Sequence, residues 1–301
     1  GRGAAVQVID AQPIGGHANH FAAGATLDYA RVGFLSGTQV GVMSPLLVVL
    51  PSDLLVATPE SSDFGATPVN LQTLNRYYGL YLTDTFDVTR ALSLTARGRS
   101  PLAYIDLQDL RGTELTGDNR YAHFNPAVGA TFALLPTVTA YAGISQDTRT
   151  PTASEIECSD PLRPCLLPSN LAGDPPNLRQ VVGHTVELGV RGRVRTADAA
   201  GALSWNLGLF RTDVDDDIYG IATSVSSGFY QNIGATRRQG IEAGLNYQSR
   251  QWTAYLNYSY IDAAFESALT LPSPSNPFQD DDGNMPRQGR FGFRTQMRAG
   301  R

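Results

Sequence analysis

The feature that most constrains this chain is a two-residue alternation of apolar and polar side chains that recurs along it. Leu203, Trp205, Leu207 and Leu209 alternate with Ser204, Asn206 and Gly208. Val138, Ala140, Ala142 and Ile144 alternate with Thr137, Thr139, Tyr141, Gly143 and Ser145. The pattern returns in Val182, Val186, Leu188 and Val190, where His184 is the polar exception, then in Ile241 to Tyr247 and in Trp252 to Tyr260. Successive side chains of a strand point to opposite faces, so each segment predicts a strand with one greasy face and one small or polar face. No stretch approaches the roughly 18 to 20 uninterrupted apolar residues of a membrane helix. The best run, Pro45 to Val56, is broken by Pro51, Ser52 and Asp53.

A soluble β-sandwich also alternates, and the connection lengths separate the two readings. Tight turns fall at Asp87 to Arg90, Leu135 to Thr137 and Ser249 to Gln251, while Gly37 to Asn70, Pro101 to Arg120, Thr148 to Leu178, Val214 to Gly228 and Glu266 to Gln288 run long. Gly192 to Gly201 is a longer turn than the pattern wants. Alternating short turns and long loops predict an all-β, antiparallel transmembrane β-barrel in the bacterial outer membrane, with the long loops outside. The count is about eleven strands, and ten residues at about 3.3 Å each, tilted by about 45°, cross roughly 23 Å. That is a partial barrel, expected to occupy residues 1–301 as one domain, with Pro168 to Pro176 and Pro272 to Pro286 as loops rather than linkers. Aromatics near strand ends (Tyr77, Tyr78, Tyr81, Phe86, Phe229, Tyr230, Tyr255, Tyr258, Tyr260) are expected to form an interfacial girdle.

A net charge of −5 gives no footprint for nucleic acid, although all 23 basic residues are Arg. No charged and apolar leader opens the sequence. Gly-x-Ser-x-Gly, His-Glu-x-x-His and phosphate-binding Gly loops are missing, and the four histidines are scattered, so no catalytic residues and no cofactor are expected. Asp213, Asp215, Asp216 and Asp217 have some of the spacing of a calcium loop, but Ile218 stands where such a loop needs Gly. They read, like Asp280 to Asp282, as a solvated loop apex. His17 and His20 lack acidic or thiol partners nearby, so no metal site is expected. Cys158 and Cys165, the only cysteines, lie in an expected external loop and read as a disulfide, worth about 2 to 3 kcal/mol by chain entropy. Glu187 with Arg191, and Arg238 with Glu242, share lumen-side spacings that would allow polar ladders.

From Tyr78-Gly-Leu-Tyr-Leu-Thr-Asp84 to about Asn276 the chain resembles the barrel domain of TonB-dependent outer-membrane receptors. The likeness rests on Asn125-Pro-Ala-Val-Gly129, Arg149-Thr-Pro-Thr-Ala-Ser-Glu155, Tyr230-Gln-Asn-Ile-Gly234, Arg237-Arg-Gln-Gly-Ile-Glu242 and Tyr258-Ser-Tyr-Ile-Asp-Ala263, in that order. The resemblance implies a 22-stranded barrel around a plug domain, importing scarce nutrients such as ferric siderophores or cobalamin with energy from TonB. Against that pattern the plug domain and closing strands are expected to be absent from residues 1–301, and after Pro277 the run Asp280 to Pro286 and the Arg-rich end through Arg301 are expected to depart from the family. The partners so implied are an iron-siderophore or other small nutrient, TonB through the missing plug, and outer-membrane lipid. Arg149, Arg163, Tyr219, Phe229 and Tyr230 are the candidate ligand contacts, arginine suiting carboxylate, phosphate or catecholate groups. A passive porin or adhesin and an outer-membrane hydrolase are the alternatives.

Overall fold

The computed structural model describes residues 1–36, 38–56, 69–112, 116–159, 165–166, 178–195, 201–222, 227–268 and 289–290. In chain order its elements are β1 (Arg2–Asp10), β2 (Asn19–Ser36), β3 (Thr38–Met43), β4 (Val49–Val56), β5 (Val69–Asp87), β6 (Leu92–Asp109), β7 (Gly117–Ala122), β8 (Asn125–Leu135), β9 (Val138–Arg149) and α1 (Ala153–Glu157). They continue as β10 (Cys165–Leu166), β11 (Val181–Arg195), β12 (Gly201–Asp215), β13 (Ile218–Ala222), β14 (Ser227–Asn232), β15 (Thr236–Ser249), β16 (Thr253–Phe265) and β17 (Gly289–Arg290). One antiparallel sheet runs β1-β2-β5-β6-β8-β9-β11-β12-β15-β16-β17, with β7 on the upper half of β6. Eleven strands thus form an open arc, as the sequence predicts.

The short turns at one end are held by hydroxyl side chains. Thr89 Oγ1 accepts from the N–H groups of Ala91 and Leu92, and Ser249 Oγ accepts from those of Gln251 and Trp252. The turn between β1 and β2 needs Gly15 and Gly16, whose φ angles are 60° and 85°.

Register fixes the faces. Phe86, Leu94, Ala130, Ala142, Leu188, Leu209, Ile241 and Tyr260 are cross-strand partners in one unbroken row from β5 to β16. The adjacent row on the opposite face is Thr85, Thr95, Gly129, Gly143 and Glu187. One face of the arc is therefore a continuous apolar wall, and the other is small and polar.

Three expectations are corrected. Pro101 does not open a loop, because β6 runs on to Asp109. The missing Pro N–H falls opposite the break between β7 and β8, where the Pro101 carbonyl accepts from His123 N–H. The connection near Gly192 is also shorter than read, since β11 continues to Arg195 and β12 starts at Gly201. Finally, the aromatics do not make one girdle. Tyr77, Tyr81 and Tyr255 point inward and Tyr78, Phe86, Tyr258 and Tyr260 outward, because neighbours in a strand must oppose each other.

Strands of 18 and 19 residues in β2, β5 and β6 exceed what a membrane requires. Above the wall they pack. Leu71, Ala103, Ile105, Leu107 and Tyr121 join Ile156 and Cys158 in a core against which Phe34, Ala153 and Tyr230 lean.

Candidate functional site

That core is the base of a cap built from the long connections. α1 is only five residues long, yet it is well closed at its start. Thr152 caps it, Glu155 reaches back to the Thr152 N–H at 2.8 Å, and Arg149 Nη1 bonds the same carboxylate at 2.7 and 3.0 Å. The Thr-x-x-Glu spacing inside Arg149 to Glu155 is thus a capping box, a signal legible in sequence. α1 packs against β14, which is the middle strand of a separate sheet ordered β10-β14-β13. The Cys158 carbonyl accepts from Tyr230 N–H, Cys158 is buried and disulfide-bonded, and the Cys165 backbone pairs with Gly228.

Asn232 is the residue that sequence reasoning missed. Its Oδ1 accepts from Arg179 N–H at 2.9 Å, and its Nδ2 donates to the carbonyls of Arg179 at 3.1 Å and Asp216 at 2.6 Å. One amide therefore ties the approach to β11, the end of β12 and the end of β14. Beside it, Gly234 takes φ 83°, which disfavours any side chain, and a Cβ there would crowd Ser267 Oγ. Asp217 and the turn before β15 exchange backbone bonds through Ile233 and Gly234. These contacts give the Tyr230-Gln-Asn-Ile-Gly234 segment a structural reason.

The acidic run is dispersed over separate partners. Asp213 meets Arg211 at 2.9 Å, Asp215 meets His184 at 3.6 Å, Asp216 meets Arg179 at 2.7 Å, and Asp217 meets Arg238 and Thr236 at 2.8 Å. Each carboxylate is committed to a neighbour rather than pooled toward an ion. Among the described residues no cluster of His, Cys, Asp or Glu could hold a metal. His17 Nδ1 lies 2.9 Å from the Asp87 carbonyl and its ring contacts Phe86, which places it in a turn. Burial in the cap, with Glu155 adding a repulsion, pushes the Tyr121 hydroxyl up to about 12.

Below the cap, the polar face of the arc lines an open cavity of about 1560 Å³, with Arg97, Tyr141, Glu187, Arg191, Asn206 and Asn246 among its walls. Tyr141 lies across the sheet over Gly189 and Gly208, and a Cβ at Gly189 would fall 2.5 Å from its hydroxyl. Arg191 stacks on the same ring, 5.9 Å from its centroid. Glu187 leans over Gly143, and Arg238 turns to Asp217. The expected ladders are thus replaced by an aromatic stack and a cap ion pair.

Tyr219, Phe229 and Tyr230 come together on the β13–β14 hairpin, where Gly220 faces Tyr230 and Ile221 faces Phe229. Phe229 is buried, Tyr230 packs on the core, and Tyr219 is 41% exposed with its ring edge on Phe265. Arg149 is held by Glu155 at the foot of α1. Arg163 lies outside the described residues, as do Asp280 to Asp282.

A sequence profile of the TonB dependent receptor-like β-barrel matches residues 17–293. The chain belongs to the TonB-dependent receptor β-barrel family. The match extends beyond the likeness read from motifs at both ends, and it takes in residues 278–293, correcting the expectation that the chain departs from the family after Pro277. Solved structures share the fold at low identity. FpvA from P. aeruginosa, bound to a ferric pyoverdine, is 16% identical with a TM-score of 0.59, covering 87% of this chain and 32% of its own. The ferric-catecholate import receptor Fiu from E. coli K12 is 14% identical with a TM-score of 0.58, covering 88% and 37%. The copper transporter OprC is 15% identical with a TM-score of 0.58, again covering 88% and 37%. The chain therefore spans about a third of the length of these structures. As a TonB-dependent receptor barrel the chain is placed in the bacterial outer membrane, in a family of receptors rather than enzymes, and its apolar wall is of the kind such barrels turn to lipid.

Proposed function

We propose that this TonB-dependent barrel chain is part of a receptor that imports a scarce nutrient, such as a ferric siderophore or cobalamin. Residues 1–301 form one partial barrel domain, TonB acts through a plug domain, and the polar cavity faces that plug. The observation that carries the reading is a packed external cap standing directly over a polar lumen, since ordered loops on a rigid scaffold are where a barrel places its binding groups. A disulfide between Cys158 and Cys165 staples the cap. Arg149, Arg163 and Tyr219 supply ligand contacts, with Phe229 and Tyr230 holding the hairpin that presents Tyr219. Iron and copper appear in the names of the structural relatives, which supports a chelated metal as cargo.

The test is uptake by cells whose only receptor is the intact protein carrying this chain, offered a panel of radiolabelled ferric siderophores and cobalamin. One ligand is expected to enter only when TonB is present, and Tyr219→Ala is expected to lower its uptake about tenfold at unchanged surface level. Uptake of every ligand on the panel unchanged by removal of the receptor would overturn the reading.

A further inference from the structure

The lipid-facing side of the wall carries a charged row that the import reading does not use. Register pairs Arg2 with Tyr29, Tyr29 with Arg76, Arg76 with Tyr104 and Tyr104 with Arg120, across β1, β2, β5, β6 and β7. All five side chains belong to the same outward face, so arginine and tyrosine alternate along one rung. The rung immediately below is Ala4, Leu27, Tyr78, Leu102 and Ala122, the upper margin of the apolar wall. Tyr104 stands about 12 residues above the start of β6, and at about 3.3 Å per residue with a tilt of about 45° that is about 28 Å. The apolar band of such a barrel is about 25 Å tall, so the rung sits at headgroup height on the loop side.

The guanidiniums are gathered around one ring. Arg76 and Arg120 lie 5.4 and 5.7 Å from the Tyr104 centroid, and Tyr78 meets that ring edge-on at 6.2 Å. Asp106 neutralises Arg76 at 2.5 Å. Asp118 faces Asp106 from β7 on the same outward face, two residues from Arg120. Among the described residues no carboxylate pairs with Arg2, Arg120 or the nearby Arg31. Elsewhere at the top of the wall arginine charges are matched within the protein, Arg211 with Asp213 and Arg237 with Glu266. Arg2, Arg31, Arg76 and Arg120 against Asp106 and Asp118 leave an excess of two positive charges on this part of the face. That excess at the lipid boundary favours an anion from outside the chain, and forked guanidinium donors suit phosphate oxygens.

We propose that the Arg2-Tyr29-Arg76-Tyr104-Arg120 rung binds the phosphate groups of an anionic outer-leaflet lipid, with the acyl chains lying on the apolar rung below. The tyrosines hold the guanidiniums at that height, and Arg2 and Arg120, which no carboxylate among the described residues pairs, supply the donors.

The intact receptor, in neutral detergent, is titrated with bisphosphorylated lipid A, with the same lipid stripped of phosphate, and with inorganic phosphate, and binding is read by native mass spectrometry. The phosphorylated lipid is expected to bind about tenfold tighter than the stripped one, and R2Q/R120Q to abolish that preference. R2K/R120K, which keeps the charge but loses the fork, is expected to retain part of it. If the double variant does not fold, R120Q alone carries the test, with a fall of about threefold expected. Equal binding of the two lipids, an unchanged preference in the glutamine variants, or displacement of the lipid by millimolar inorganic phosphate would each overturn the proposal. None of these readouts depends on uptake.

Discussion

The lower wall and the upper cap are made from the same strands, yet they bury apolar surface in opposite directions. In β6 the apolar side chains of the wall, Leu92, Leu94, Ala96 and Leu102, occupy the outward row. From Ala103 onward the apolar residues are Ala103, Ile105 and Leu107, on the inward row, and all are buried. The alternation slips by one residue where the membrane ends. In β2 the same change separates outward Leu27 from inward Phe34, which reaches the cap core. What differs is the solvent. Lipid rewards apolar side chains outside the barrel, whereas water above the membrane rewards folding them under α1 and the β10-β14-β13 sheet.

Substitutions should divide along that line. The largest effect is expected from Ile156→Ala, which empties a fully buried site in the cap at a cost of about 2 to 5 kcal/mol. Hydrogen exchange should then rise in α1 and β14 and stay unchanged in β11 and β12. Leu188→Arg places a charge near the middle of the wall and should cost about 2 to 4 kcal/mol, read as a shifted midpoint for refolding into vesicles, with the cap's exchange unaffected. Asn232→Ala removes three hydrogen bonds that join separate segments of the cap and should cost about 2 kcal/mol, seen as faster exchange at the ends of β12 and β14. The smallest effect concerns pH. Tyr121 is raised to about 12, so its neutral form stabilises the cap fully below about pH 10, its unperturbed value, and that contribution is lost as pH climbs toward 12. Cap exchange should accelerate over that window in the wild-type receptor, and Tyr121→Phe should remove the dependence. An equal loss of wall and cap protection in any of these variants would break the division.

The wall was legible in the sequence because alternation is local. Each of the five segments read as strands falls on β9, β11, β12, β15 or β16, with only Thr137 and Trp252 one residue outside. The cap was not, for reasons that are tertiary. Pro101 looked like a loop residue because a central strand seldom tolerates proline, and only the break between β7 and β8 makes room for it. The phase slip at Leu102 and Ala103 was present in the sequence, but it needs a second solvent to be meaningful. Asn232 had no local signature, since its partners stand 16 and 53 residues away. The candidate contacts were located by their loops, which placed Tyr219, Phe229 and Tyr230 on one hairpin. Which of the three faces outward depended on packing.

The central claim is that one face of the arc meets lipid and the other meets a polar lumen. Spin labels placed through Asn206→Cys, Leu207→Cys, Gly208→Cys and Leu209→Cys in the intact receptor, reconstituted in bilayers, test it most directly. Labels at 207 and 209 should be reached by oxygen and shielded from a water-soluble nickel chelate, and labels at 206 and 208 should show the reverse. Equal accessibility along the four positions, or the opposite phase, would contradict the account.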